Sequence, residues 1–231
     1  MLDKETNLKT LDERISDLEL EGNIVISFDF DELLVPIHLT REVGAKVQIK
    51  PKDNKILEEL GADSFEGIKY LNSLRYGLDL NKYTQIRDNM AKETPWTTGF
   101  DYLLKDLMKD YSVIIISSGM KDICNAKLKE IDFNPKNIIG GELKIEDNKL
   151  SEPNLIISDK VKGYIVNKLQ KDYTVIGVGH SIGDKPMLDE ADMSISVNSK
   201  IPNLAQYNVK SPKEILDIVK DIVVTYRIFS S

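Results

Sequence analysis

The chain has a single cysteine, Cys124, only two histidines, and no surplus of basic residues. One cysteine excludes an intrachain disulfide and any cysteine-based zinc site; a lone thiol is expected as a packed filler on a helix face. Lys and Arg number 31 against 38 Asp and Glu, for a net charge of −7 and a sequence pI near 5.1. The basic residues are interspersed with acids rather than clustered, which argues against a nucleic-acid partner. No apolar run approaches the roughly 18 residues of a membrane span. The opening Met1-Leu2-Asp3-Lys4-Glu5 has no apolar signal core, so a soluble, cytoplasmic protein without a membrane partner is expected. Internal repeats and low-complexity tracts are also missing. What remains is 231 residues, 41% apolar and 30% charged. That suits one α/β domain with an insertion, or two small domains.

The stretch around which the rest is organised is Asn23-Ile24-Val25-Ile26-Ser27-Phe28-Asp29-Phe30-Asp31-Glu32. A β-branched apolar run ends in two carboxylates separated by one aromatic. Residues i and i+2 of an extended segment point to one side, so Asp29 and Asp31 face one pocket if the strand persists to its end. Before this run, Leu8, Leu11, Ile15 and Leu18 have helical spacing through about Leu20. After it, Pro36 ends any regular element, and Leu39 to about Thr94 reads as helical with breaks near Pro51, Gly61 and Gly77. A helix is expected from Phe100 to Lys109 and a strand over 112–116. A helix over 121–131 follows, then a hairpin turning at Asp147-Asn148. A helix over 160–169, strands over 173–179 and 193–197, and a helix from Pro212 to about Val223 complete the pattern. Buried strands alternating with helices imply a doubly wound, largely parallel sheet, with ligands beyond the carboxyl ends of its strands.

Three clusters fall at such ends. By itself an Asp-x-Asp pair is an ordinary turn or cap; its company sets it apart. Ser117 offers a hydroxyl after the second strand. Ser118 and Gly119, leading into a helix, offer backbone donors suited to a phosphate. The third strand runs into Gly179-His180-Ser181-Ile182-Gly183-Asp184, from which Asp184 can turn inward. Lys162 stands at the front of the helix between them.

In this order the clusters resemble the haloacid dehalogenase-like superfamily, and most closely its phosphoserine-phosphatase-like branch. Phe28-Asp29-Phe30-Asp31 matches the first motif and Ile116-Ser117-Ser118-Gly119 the second. Lys162-Gly163 matches the third, and Gly179 through Leu188 the fourth. The resemblance implies a Rossmann-like α/β core over 1–35 and 96–231, with a helical cap over 36–95 inserted after the first motif. It further implies a Mg²⁺-dependent phosphatase of a small phosphorylated metabolite. Asp29 is then the nucleophile, Asp31 the general acid and base, and Ser117 and Lys162 the groups that hold phosphoryl oxygens. Ser118 and Gly119 contact the substrate, and Mg²⁺ bridges Asp29, the Asp31 carbonyl and an acid of the fourth motif.

Two positions depart from the family pattern. His180 stands where an acid normally binds Mg²⁺ directly, while the later acid is kept as Asp184. Mg²⁺ prefers oxygen ligands, so two readings stay open. Either Asp184 takes over the cation, directly or through water, or the site holds it weakly and catalysis is impaired. Pairing Asp184 with Asp189 instead puts Pro186-Met187-Leu188 out of step with the family. His38 replaces a glutamate at the cap entrance, where it contacts a different substrate or packs against the cap. Asn72 and Arg75 are the nearest counterparts of the family's cap arginine. A degraded relative that binds a phosphorylated ligand or partner is one alternative function, and a phosphomutase or phosphotransferase another. The sequence leaves the oligomeric state undetermined.

Overall fold

One sheet runs through the molecule, and a computed structural model describes residues 3–47, 54–62 and 64–229 of the chain; the expected break at Pro51 lies outside them. At the sheet's centre is β1 (Ile24–Phe28), flanked by β2 (Ser112–Met120) and β5 (Thr174–Gly179), both parallel to it. Beyond β2 lie parallel β3 (Ile138–Glu146) and antiparallel β4 (Lys149–Leu155). Beyond β5 lie β6 (Met193–Val197) and β7 (Tyr207–Val209), both parallel. The order is therefore β4-β3-β2-β1-β5-β6-β7, seven strands that reverse direction of travel across β1. The carboxyl end of β1 is the topological switch point, where such sheets form their ligand crevice.

Ten α-helices are present among the described residues: α1 (Lys4–Ser16), α2 (Leu39–Lys46), α3 (Asn54–Leu60), α4 (Phe65–Ser73), α5 (Leu80–Glu93), α6 (Phe100–Leu107), α7 (Lys121–Leu128), α8 (Asp159–Leu169), α9 (Lys185–Glu190) and α10 (Pro212–Phe229). Strand residues alternate between two cores. Val25, Ile114, Ile116 and Val175 pack with Leu11 of α1, Ile165 of α8 and Leu188 of α9. Their neighbours Ile26, Phe28, Val113, Ile115, Ile176 and Val178 pack on the other face with Leu104 of α6, Cys124 of α7 and Ile215 of α10. Coverage of both faces is why these strands read as unbroken apolar runs.

The expected elements form, with different ends. Helix α1 stops at Ser16, short of Leu20, because the following segment is tied to the sheet: Glu19 N–H donates to Asn137 (2.9 Å) and Glu21 N–H to Ser112 Oγ (2.6 Å). Strand β2 continues past Ile116 to Met120, since its pairing with β3 resumes at Met120–Gly141 after a register shift. The helix expected over 121–131 ends at Leu128 and tightens into a 3₁₀ turn over Lys129–Ile131. The hairpin turns at Asp147 and Asn148, whose φ values of 50° and 58° are those of a type I′ turn. Helix α10 runs on past Val223 to Phe229. Among the described residues no helix is long and apolar enough to cross a membrane.

The excursion between β1 and β2 holds α2 to α5 and docks on the sheet. Val43, Tyr83 and Ala91 belong to the same apolar cluster as Phe28 and Ile115. Tyr83 donates to Asp122 (3.2 Å), and Arg87 pairs with the other oxygen of Asp122 (3.0 Å).

Asn7 is the polar tie of α1. Its side chain donates to the Ile156 carbonyl (3.0 Å) and accepts from the Ile156 N–H (2.7 Å), all buried. Asn7→Ala strands both backbone groups and is expected to cost about 3 kcal/mol. Denaturant unfolding measures the loss, and hydrogen exchange at the Ile156 amide should accelerate with it; an unchanged midpoint would refute the tie.

Candidate active site

Asp29 follows β1 directly, and its N–H donates to the Val178 carbonyl at 3.0 Å, which carries strand pairing one residue further. It has the parity of Val25 and Ser27, so its carboxylate emerges on the α8 side of the sheet. Lys162, in the first turn of α8, meets it there. The ammonium donates to Asp29 Oδ1 and to Asp184 Oδ1, both at 2.7 Å and both buried. Burial disfavours the charge of Lys162, but the two carboxylates outweigh it and raise its pKa above the ordinary lysine range.

Asp184 closes a 3₁₀ turn over Ile182–Asp184 that follows β5. Its Oδ2 accepts from the N–H groups of His180 (2.9 Å) and Ser181 (3.0 Å) and from the Ser181 hydroxyl (3.1 Å). The turn lies so close to β5 that a Cβ on Gly179 would sit 2.7 Å from that of Asp184. Burial would raise the Asp184 pKa, yet Lys162 and the His180 contacts hold it well below the usual carboxylate range.

His180 Nδ1 lies 3.3 Å from Asp184 Oδ2 and 3.4 Å from Asp29 Oδ2. Neither contact has hydrogen-bond geometry, and the buried nitrogen has no other partner. Burial pushes the imidazole pKa down; the Asp184 and Asp29 carboxylates win and raise it to about 10. The ammonium and imidazolium then balance the two carboxylates.

Asp29, Asp184 and His180 offer ligand atoms that all lie within 4.8 Å of one another. The orphaned nitrogen and two carboxylates facing a common point fit a divalent cation. The two oxygens suit Mg²⁺ and the nitrogen does not. The cation that the resemblance implies thus fits two of the three donors.

Asp31 takes a different direction. The strand ends at Phe28, and Asp31 forms only an isolated bridge with Val35. The carboxyl therefore does not share all the partners of Asp29, as an unbroken strand would require. It turns to the start of α2, accepting from Leu39 N–H (2.7 Å), with Thr40 N–H as a second donor. Its Oδ2 lies 3.3 Å from His38 Nδ1, without a hydrogen bond. Burial raises the Asp31 pKa to about 6; His38 opposes the rise and the Asp29 charge adds to it.

Gly119 is where Asp31, Thr40 and Ser117 converge. A Cβ there would stand 2.4 Å from Thr40 Oγ1, 2.6 Å from Asp31 Oδ2 and 3.1 Å from Ser117 Oγ. The Gly119 N–H, expected to face a ligand, is spent on Ser117 Oγ (2.9 Å). By accepting there, Ser117 keeps its own O–H proton available to donate elsewhere. Ser118 is half-buried, and because β2 continues to Met120, neither it nor Ser117 starts the helix.

The sequence motifs thus come together around the β1 tip. Arg75 is more remote: it is buried, pairs with Asn72 (3.0 Å) and reaches the Thr40 carbonyl at 3.4 Å, supporting α2 from behind. Sequence reasoning missed Thr40, whose Oγ1 also accepts from Met120 N–H (3.1 Å). It also missed Glu32, whose carboxylate lies 3.9 Å from His180 Nε2. The position of Glu32 beside the paired acids was its one visible signal.

No family model matches the chain, and no curated protein matches it either. Solved structures do. A phospho-aspartyl intermediate analogue of phosphoserine phosphatase superposes with a TM-score of 0.65 at 22% identity, over 86% of this chain and 99% of that one. A substrate-bound phosphoserine phosphatase complex gives 0.67 at 21% identity, over 87% and 99%. A haloacid dehalogenase (HAD) family hydrolase from Salmonella enterica serovar Typhi gives 0.64 at 17%, over 82% and 68%. The chain has the HAD fold. Within that fold, three of the four resembling motifs lie at the carboxyl ends of β1, β2 and β5, and Lys162 reaches Asp29 and Asp184 from α8.

The two environments of Asp31 predict a pH effect. Its pKa is about 6 when folded against an ordinary 3.8, so the native state binds the proton more tightly. The associated stability is complete below the unfolded value and is lost as pH rises through about 6, a change of about 3 kcal/mol. Asp31→Asn removes that loss. The variant should gain in melting temperature over the parent between about pH 4 and pH 6, the window set by those two values. A difference that stays constant across that range would contradict the assignment.

Proposed function

We propose that the chain is a phosphoric monoester hydrolase that acts on a small phosphorylated metabolite through an aspartyl-phosphate at Asp29. The supporting observation is the Asp29 carboxylate fixed by buried Lys162 beside a second acid, Asp31, whose pKa of about 6 lets it hold a proton near neutrality. Asp29 attacks phosphorus with one oxygen of its carboxylate. Asp31 gives its proton to the leaving oxygen, then takes one from the water that hydrolyses the acyl phosphate. Ser117 and Lys162 donate to phosphoryl oxygens, with the Ser118 N–H beside them.

Charge sets the main difficulty. Two like charges about 4 Å apart repel by roughly 4 kcal/mol at an effective dielectric near 20, and a phosphate dianion must approach Asp29. Lys162 offsets one such contact. A divalent cation, Mg²⁺ in the family resembled, would be held by Asp29, Asp184 and the Asp31 carbonyl and would supply further positive charge to the phosphoryl group. The 36–95 segment acts as a cap over a core of 1–35 and 96–231, and His38 stands at the entrance beside Asp31, where it contacts the leaving group.

A second reading is favoured by His180, which balances the site's charge at the position of an expected acid. In that reading the protein binds a phosphorylated ligand without turning it over. Passing the phosphoryl group to an acceptor other than water would make the protein a phosphotransferase or mutase using the same intermediate.

The proposal is tested with an aryl phosphate and a divalent cation. Turnover is expected, with phosphoenzyme trapped by acid quench. Asp29→Asn should abolish both, and Asp31→Asn should slow turnover by roughly 10²–10⁴-fold. Absence of phosphoenzyme together with retained phosphate binding would select the second reading.

A further inference from the structure

We infer that Asp29, Asp184 and His180, with Glu32 behind the imidazole, form a site that takes a first-row transition-metal dication in preference to Mg²⁺. This deepens the proposed function by naming its cation, and it rests on that reading only for what the cation does.

Geometry supplies the first argument. Lys162 occupies Oδ1 of both carboxylates, which leaves both Oδ2 atoms turned toward the imidazole. His180 Nδ1 stands 3.4 Å from Asp29 Oδ2 and 3.3 Å from Asp184 Oδ2 without hydrogen-bonding either. Adjacent ligand atoms around an ion with bonds near 2.1 Å lie about 3.0 Å apart in octahedral and about 3.4 Å apart in tetrahedral coordination, so these contacts have the length of edges of one coordination shell. Asp184 Oδ2 also accepts from the backbone N–H groups of His180 and Ser181, which stay in place beside the ion, and from the Ser181 hydroxyl. That group rotates freely and can turn away or present its own oxygen to the ion.

Donor chemistry supplies the second. Mg²⁺ requires near-ideal octahedral oxygen coordination and dehydrates reluctantly. Imidazole favours iron, nickel, copper and zinc, and affinity rises along the divalent series toward copper. Replacing a carboxylate by imidazole also removes one negative charge, which weakens the site most for an ion held mainly by electrostatics.

Glu32 supplies the third. A metal-bound histidine characteristically gives its other ring N–H to a carboxylate, which fixes the ring and raises its basicity. His180 Nε2 faces Glu32 at 3.9 Å, on the side opposite the cluster. Glu32 is held there in a left-handed conformation, φ 60°, which residues with a side chain adopt uncommonly.

Calorimetric titration of the metal-stripped full chain with Mg²⁺, Zn²⁺ and Co²⁺, without substrate, tests the inference, and the visible spectrum of the Co²⁺ form reports nitrogen ligation. Co²⁺ and Zn²⁺ should bind at least about tenfold more tightly than Mg²⁺. His180→Asp should shrink that ratio by at least about tenfold and shift the Co²⁺ bands, and Glu32→Gln should weaken Co²⁺ by about tenfold. Glu32 is largely exposed, so its variant stays informative if His180→Asp fails to fold. Equal affinity for Mg²⁺ and Co²⁺, a ratio indifferent to His180→Asp or Glu32→Gln, or no binding of any ion would overturn the inference. Phosphoenzyme trapping fails or succeeds independently of these titrations.

Discussion

The buried ammonium of Lys162, shared by Asp29 and Asp184, is the constraint on which the rest of the site depends. Its three members come from distant parts of the chain, and only the packing of α8 and α9 against one face of the sheet brings them together. Buried ion pairs add little net stability, because desolvation consumes most of the attraction. What this triad fixes is direction. Each carboxylate is left with one oxygen that faces away from Lys162, and both such oxygens face His180.

The site divides its acids by environment. Asp184, surrounded by donors and cations, is held as an anion. Asp31, buried at the start of α2 with an Oδ2 that has no hydrogen bond, holds its proton to about pH 6. Opposed shifts of this kind separate acid and anion roles among identical side chains. Local backbone produces the division. Termination of β1 at Phe28 sends Asp29 toward α8 and lets Asp31 swing to α2.

The strands around the site were legible because burial on both faces leaves an apolar run with nothing polar inside it. Ends were harder. Leu18 continues the apolar spacing of α1 but packs in an irregular segment that follows the helix, and periodicity cannot separate the two. Ser117-Ser118-Gly119 looks like a loop, yet it is the irregular continuation of β2. The acids could be located from their place at strand ends, and Lys162 and the two histidines from the resemblance, whereas Thr40 and Glu32 could not. Thr40 reaches Met120 across 80 positions, and the link exists only because α2 settles over the bulge. Glu32 owes its role to a backbone conformation that its residue type does not announce.

Besides its side-chain contacts, the helical excursion joins the rest of the molecule through main-chain atoms. Gly77 N–H donates to the Leu150 carbonyl, Leu150 N–H to Leu78, and Leu80 N–H to Asn148, at 2.8 to 2.9 Å. These links lie at the root of α5 and grip the β3–β4 hairpin, so side-chain replacement along them leaves the seam intact. A swing of α5 away from the sheet must therefore carry the antiparallel edge with it or break three backbone bonds at once. The sheet's outer margin and the helical excursion are thus mechanically one part.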